Sequence, residues 1–265
     1  MPPSLVCYNH KAASTTWIST FAQLLGDPVY FQQLSQTGAF YKYGFFKGLF
    51  TAKIYILLTQ PFRAISRLAP KSYQELMEIT KLGNYFTFTI VRNPLDRLIS
   101  AYRDRILNGC TDQAKLHIPA IFHLTRSHLL TLGTSILYDK ITGCIKTFPT
   151  FEEFVRFVIV NPDGDLHWMP FHQHCSPCQI EYDAIIKLET AVQDEEFVLK
   201  QSMMDQYLNL SYRHYRQKSD VETQDLRFQY FSNLTCHQFD DLTQVYSIDF
   251  RLYTYDPEEF RHYCH

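Results

Sequence analysis

The chain has 265 residues and a mass of 31.3 kDa, enough to bury one substantial core. Its content of 46% hydrophobic, 15% aromatic and 20% charged residues excludes an intrinsically disordered chain. A formal net charge of −2 with a pI near 6.6 excludes a protein that coats nucleic acid, so any polyanionic partner must be held by a local patch.

In chain order, Leu5 to Tyr8 reads as a short apolar strand. A turn of small polar residues follows, then a helical pattern through Trp17, Phe21, Leu24 and Leu25 that ends near Gly26. No stretch reaches the roughly 18 to 20 apolar residues of a membrane span, and the best candidate, Ile54 to Leu58, is flanked by Lys53 and Gln60. Tyr85 to Val91, rich in aromatic and β-branched residues, predicts a buried strand. Asn93-Pro94 then opens a helix with apolar positions Leu95, Leu98, Ile99, Tyr102 and Ile106. Residues 107–150 are hardest to read and suggest a variable insertion. Phe151 to Val160 predicts a helix closed by Asn161-Pro162, Ala184 to Leu188 a buried strand, and Val192 to Met203 a helix. Phe239, Leu242, Val245 and Tyr246 form a last amphipathic stripe. Strands alternating with helices predict an α/β fold with a mainly parallel sheet, in which ligands bind at the carboxyl ends of the strands. With no internal repeat or linker, residues 1–265 are expected to form a single domain.

Seven cysteines, at 7, 110, 144, 175, 178, 236 and 264, allow up to three bridges and one free thiol in an oxidising lumen. Asn209-Leu-Ser211 and Asn233-Leu-Thr235 are acceptable N-glycosylation sequons. Cys175-Ser-Pro-Cys178 has half the spacing of a zinc site, but no second Cys-x-x-Cys or His-x-x-x-His completes it, and no metal is expected.

Between the first strand and helix, His10, Lys11, Ala12, Ala13, Ser14, Thr15 and Thr16 supply one cation, small residues and hydroxyls. Small residues let backbone N–H groups close around an oxyanion at the positive end of a helix dipole. Simple helix capping by the hydroxyls explains the same residues on their own. This is not the Walker motif, because Lys11 stands at the start of the loop rather than its end. Arg92, at the end of the second long strand, and Ser100, two turns into the next helix, make a second anion site of an arginine fork and a hydroxyl. Arg97, Arg103 and Arg105 add charge there, or form a solvated face paired to Asp96 and Asp104.

The run Cys7-Tyr-Asn-His-Lys-Ala-Ala-Ser-Thr-Thr-Trp17 resembles the 5′-phosphosulfate loop of the Golgi carbohydrate sulfotransferases, and Val91-Arg-Asn-Pro-Leu-Asp-Arg-Leu-Ile-Ser-Ala-Tyr-Arg103 resembles their 3′-phosphate motif. His167-Trp-Met-Pro170, Cys175-Ser-Pro-Cys178 and Lys187-Leu-Glu-Thr190 are similar to the branch containing the chondroitin and dermatan 4-O-sulfotransferases. Val245-Tyr-Ser-Ile-Asp-Phe250 is similar to that branch's closing signature. The matches run in order along essentially the whole chain, with one departure: His10 stands where the family usually has proline. The resemblance implies a P-loop-like sulfotransferase fold, 3′-phosphoadenylyl sulfate as donor, no metal, and a sugar hydroxyl as acceptor. It also implies a Golgi location through a type II anchor. This sequence lacks that anchor, so a truncated amino terminus is expected.

On that reading Lys11 steadies the charge that builds on the bridging oxygen, while Thr15, Thr16 and the loop N–H groups hold the 5′-phosphate. Arg92 and Ser100 hold the 3′-phosphate and so aim the sulfur. Both anion sites must then serve one nucleotide. His167 is the expected general base, with His10, Glu189 and His172 behind it, and Trp168 either stacks on a sugar or lies in the core. From Pro28 to Gln74 the basic residues Lys42, Lys47, Lys53, Arg63, Arg67 and Lys71 occur with no Asp or Glu, a +6 segment suited to steering a polyanionic glycan. Acidic neighbours such as Glu75 and Glu78 would balance it in a blander reading. Two alternatives remain: a catalytically silent glycan- or nucleotide-binding relative, and a P-loop-type kinase, for which the loop lacks the Walker lysine and magnesium hydroxyl.

Overall fold

The computed structural model describes residues 4–13, 16, 17, 20, 21, 24, 70, 72–83, 85–128, 137–208 and 220–265. Ser14 and Thr15, the predicted helix end at Leu25 and Gly26, the apolar run at Ile54 to Leu58, the six basic residues from Lys42 to Lys71, and the Asn209 sequon lie outside the described residues. The chain divides into two compact units, Met1–Val91 with Cys175–Tyr215, and Arg92–His174 with Arg216–His265.

The first unit is built on a parallel sheet of β1 (Ser4–Tyr8), β2 (Phe86–Val91) and β3 (Ala184–Lys187), with β2 in the middle. The sequence Phe-Thr-Phe-Thr-Ile-Val leaves almost no exposed position in β2, as expected of a strand covered on both faces. Register is fixed by Tyr8↔Ile90 on one side and Val91↔Lys187 on the other. The Asp183 carboxylate sharpens the start of β3 by accepting from the Thr87 N–H at 2.7 Å and the Thr87 hydroxyl at 2.9 Å. Residues 16, 17, 20, 21 and 24 are helical, and Trp17 packs 4.9 Å from the Phe88 ring. Helix α1 (Tyr73–Lys81) is capped by Ser72, whose hydroxyl accepts from the Glu75 N–H. The unit's core joins Ala12, Trp17, Phe88, Ile90, Ile186, Val198 and Leu199.

The second unit is helical. Helix α2 (Pro94–Ala101) starts as predicted, with Asn93 accepting from the Leu95 N–H and Pro94 in the first turn. The expected helical run to Ile106 is present but changes pitch, since Tyr102–Ile106 is a π-helical turn. Within the segment expected to be an insertion, α3 (Asp112–Thr125) carries Pro119 in its interior, and a Cys110–Cys144 bridge closes the loop around it. Helix α4 (Phe151–Val160) has the predicted limits. A capping box of Thr150 and Glu153 begins it and Asn161 ends it. A short turn, α5 (Phe171–His174), completes this half of the unit.

After β3, α6 (Ala191–Gln201) continues the first unit. The second unit then adds α7 (Asp220–Phe231), α8 (Cys236–Val245), α9 (Ser247–Leu252) and α10 (Glu258–Arg261). Aromatic edges fill its core: Tyr102, Phe151, Phe154, Trp168, Tyr230, Phe231 and Phe260 are all buried. No helix of the described residues is long and apolar enough to cross a membrane.

Candidate functional site

In the first unit, β1 runs directly into the loop that carries the predicted anion site. The Asn9 side chain is fully buried and donates to the Ile90 carbonyl at 2.8 Å, tying the loop to the neighbouring strand. The Ala12 N–H closes a turn on the Asn9 carbonyl, and the Trp17 N–H bonds to Ala13 O. Lys11 and Ala13 both have positive φ, 66° and 57°, whereas Ala12 between them does not. Backbone handedness therefore alternates through 11–13, the pattern that curves successive N–H groups around an anion, at a cost of order 1–3 kcal/mol per strained residue. Ala12 is buried, His10 and Lys11 are half-buried, and Thr16 begins the helical turn in which the Thr20 hydroxyl donates to Thr16 O.

Cys175 bridges back to Cys7 with a sequence separation of 168, which places one half of the Cys-x-x-Cys motif beneath the loop. Cys178 is a free, exposed thiol, so the motif is neither a zinc half-site nor an internal bridge. The third bridge is Cys236–Cys264. Three bridges and one thiol match the cysteine arithmetic.

In the second unit, Arg92 follows β2 directly and is half-buried, and Ser100 is partly exposed on α2. The arginines around them divide into separate jobs. Contrary to the solvated-face reading, Arg97 does not lie on a wet helix face. Its side chain is buried, donates to the Met169 and Leu166 carbonyls at 2.7 Å each, and lies 4.2 Å over the Phe171 ring. Burial lowers its pKa to about 10. Asp96 does not pair along its own helix; it holds Arg227 of α7 in a two-pronged bond at 3.0 and 2.7 Å. Arg103 is exposed.

His167 is buried and both ring nitrogens are engaged. Its Nδ1 meets Asp165 at 2.6 Å and its Nε2 meets the Arg105 guanidinium. Because the guanidinium can only donate, the proton lies on Nδ1. The other Asp165 oxygen meets His117 Nε2 at 3.0 Å. Burial lifts the Asp165 carboxyl, but the hydrogen bonds from His117 and His167 outweigh it and hold it far below the usual carboxylate range. Trp168 is a core residue, fully buried and donating to Asn161 O at 3.2 Å, so the sugar-stacking option is not realised.

A second pair lies close by in sequence. Buried Asp249 accepts from the Phe171 N–H at 2.6 Å, the His172 N–H at 2.9 Å and His172 Nδ1 at 2.8 Å. Tyr246, one turn earlier, donates to Trp168 O at 2.7 Å. The closing Tyr-x-x-Asp signature thus braces the His-Trp-x-Pro segment. Sequence reading missed Asp165 and Asp249 as partners. The Asp-x-His spacing of 165 and 167 was a usable signal for the first, while nothing local marks a contact 77 residues apart.

The model of the Sulfotransferase family matches residues 4–256, and the chain belongs to that family. The chain is similar to carbohydrate sulfotransferase 11 of Rattus norvegicus, 28% identical over 187 residues that cover 66% of this chain and 48% of that protein. It is 29% identical over 187 residues to carbohydrate sulfotransferase 14 of Danio rerio, covering 69% and 48%. It is 30% identical over 202 residues to carbohydrate sulfotransferase 12 of Xenopus laevis, covering 73% and 45%. The chain spans about half the length of these curated relatives. No solved structure matches it.

Proposed function

We propose that the protein transfers a sulfuryl group from 3′-phosphoadenylyl sulfate to a hydroxyl of a glycan, with a glycosaminoglycan of the chondroitin or dermatan type as the leading acceptor. The observation that carries this reading is the loop 9–13: alternating backbone handedness and one lysine at the carboxyl end of β1, beside the end of β2 in register Tyr8↔Ile90. Ligands of open parallel sheets bind at such strand ends.

Lys11 and the loop N–H groups, with Thr15 and Thr16, take the 5′-phosphosulfate. Arg92 and Ser100 take the 3′-phosphate, with a bidentate guanidinium supplying the stronger bond. Fixing both phosphates removes the donor's rotational freedom, and Lys11 stabilises the charge that appears on the bridging oxygen as the sulfuryl group departs. The scheme uses no metal. Three disulfides support assembly in an oxidising compartment, in keeping with a Golgi lumen.

The test is transfer of radiolabelled sulfate from the donor to desulfated chondroitin, desulfated dermatan and N-glycan acceptors, alongside calorimetric binding of adenosine 3′,5′-bisphosphate. Binding with incorporation into chondroitin or dermatan is expected. Binding without incorporation into any acceptor would replace this reading with that of a silent relative.

A further inference from the structure

Sulfuryl transfer to a hydroxyl needs a group that takes the acceptor's proton as the new bond forms. The second unit contains two Asp–His pairs, and they differ in what they leave of the imidazole. In the Asp165–His167 pair the side chain is 7% exposed, and Nε2 is already the acceptor of an Arg105 N–H. A lone pair so occupied takes no proton until the arginine leaves. His167 then serves better as the post that fixes Arg105 and the π-helical turn.

In the Asp249–His172 pair the histidine side chain is 17% exposed and Asp249 is fully buried. Asp249 is held in place by the Phe171 and His172 backbone N–H groups, so it presents a fixed oxygen to Nδ1. A carboxylate only accepts, which puts the ring proton on Nδ1 and the lone pair on Nε2. Among the described residues nothing is hydrogen-bonded to that Nε2. A buried carboxylate that sets the tautomer, with the far nitrogen open, is the arrangement by which a histidine works as a general base.

Within the second unit the pair also sits beside a buried cation. Phe171, adjacent in the chain, carries the Arg97 guanidinium over its ring, and Arg97 is attracted by Asp249 and repelled by Arg92. The dyad and the arginine proposed for the 3′-phosphate thus act on the same buried cation.

We propose that His172 is the general base of the transfer and that Asp249 is its positioning residue, an assignment that rests on the sulfotransferase reading above. In the step, the acceptor oxygen bonds to sulfur while the bond from sulfur to the bridging phosphate oxygen breaks. The hydroxyl proton moves to His172 Nε2. Adenosine 3′,5′-bisphosphate departs with the electron pair on its 5′-phosphate oxygen.

The experiment compares wild type, His172→Ala, His172→Asn and Asp249→Asn for binding of adenosine 3′,5′-bisphosphate and for kcat on the best acceptor found for wild type. Both His172 variants should keep nucleotide binding and lose about 10²- to 10⁴-fold in kcat, and added imidazole should restore part of the loss in His172→Ala. Asp249→Asn should lose less than either. If His172→Ala misfolds and loses nucleotide binding, His172→Asn decides, because its amide still donates to Asp249. A kcat within about 3-fold of wild type in a variant that binds nucleotide overturns the assignment and leaves the sulfotransferase reading intact. A wild type that transfers sulfate to no acceptor overturns both.

Discussion

Cys7, in the strand that feeds the candidate donor loop, is covalently joined to Cys175, 168 residues later in the chain. The bridge ties the strand that enters the loop 9–13 to the segment that leads into β3. Closing so long a loop removes much freedom from the unfolded chain, and loss of a native bridge typically costs about 2–5 kcal/mol. The double variant Cys7→Ser/Cys175→Ser should therefore show a lower midpoint in thermal unfolding. It should also bind adenosine 3′,5′-bisphosphate more weakly, because the loop loses its anchor. Unchanged melting would show that the bridge constrains nothing.

Lys11 and Arg92 should fail in different ways. A cation aimed at the leaving oxygen acts in the transition state, so Lys11→Ala should lower kcat by about 10²- to 10³-fold at saturating donor. A guanidinium that holds the non-reacting 3′-phosphate contributes mainly to binding, so Arg92→Ala should chiefly raise the donor KM. Equal kcat in wild type and Lys11→Ala, with a verified acceptor, would remove Lys11 from its role.

The strain in the loop can be tested by itself. Ala13 holds φ at 57°, where a Cβ is unfavourable and glycine is not. Ala13→Gly should stabilise the protein by about 0.5–1 kcal/mol in denaturant unfolding while leaving nucleotide binding in place. Ala13→Val should destabilise it and weaken binding, since a β-branched residue tolerates this region least.

What the sequence disclosed and what it hid follow the range of the interactions. Strands at 5–8, 85–91 and 184–188 were readable because continuous apolar β-branched and aromatic runs have few alternatives, and each falls within a residue or so of the observed strand. Phe151–Val160 was readable because its apolar run and its stop, Asn161-Pro162, are local. The loop around Lys11 stands out in the sequence by its small residues and hydroxyls but not by its geometry, because left-handed alanine and lysine leave no signature in composition. Arg97 was misread for the reverse reason. Its neighbours Asp96, Arg103 and Arg105 suggest a wet helix face, while the partners that bury it are carbonyls 69 and 72 residues away. The same distance effect concealed the partnership of Asp249 with His172.

The pairing of Asp96 with Arg227 links α2 to α7, and both side chains are largely buried. Arg227 also lies 4.2 Å over the Phe260 ring. Removing one member strands the other charge, which costs about 3–5 kcal/mol, whereas replacing both by apolar groups is often tolerated. Asp96→Asn should thus destabilise strongly, and Asp96→Leu/Arg227→Met should recover much of the loss. Thermal and denaturant unfolding of the single and double variants would settle whether the cost lies in the stranded charge or in the missing contacts.

Asp165 gives the fold a defined acid sensitivity. Its folded carboxyl is held below the unfolded value of about 3.9 by His117 and His167, despite a burial effect in the opposite direction. For a group depressed in this way, the stabilisation is complete above the unfolded pKa and is lost as pH falls through the folded one. Asp165→Asn cannot ionise and keeps only neutral hydrogen bonds, so at neutral pH it should be less stable than wild type by about 2 kcal/mol. As pH falls from about 5 to 3, the unfolded carboxylate begins to protonate while the folded one still resists. The stability difference between the two proteins should therefore shrink across that interval. Urea unfolding at a series of pH values measures it directly. A difference that holds constant or widens toward pH 3 would mean that His117 and His167 do not favour the ionised carboxylate.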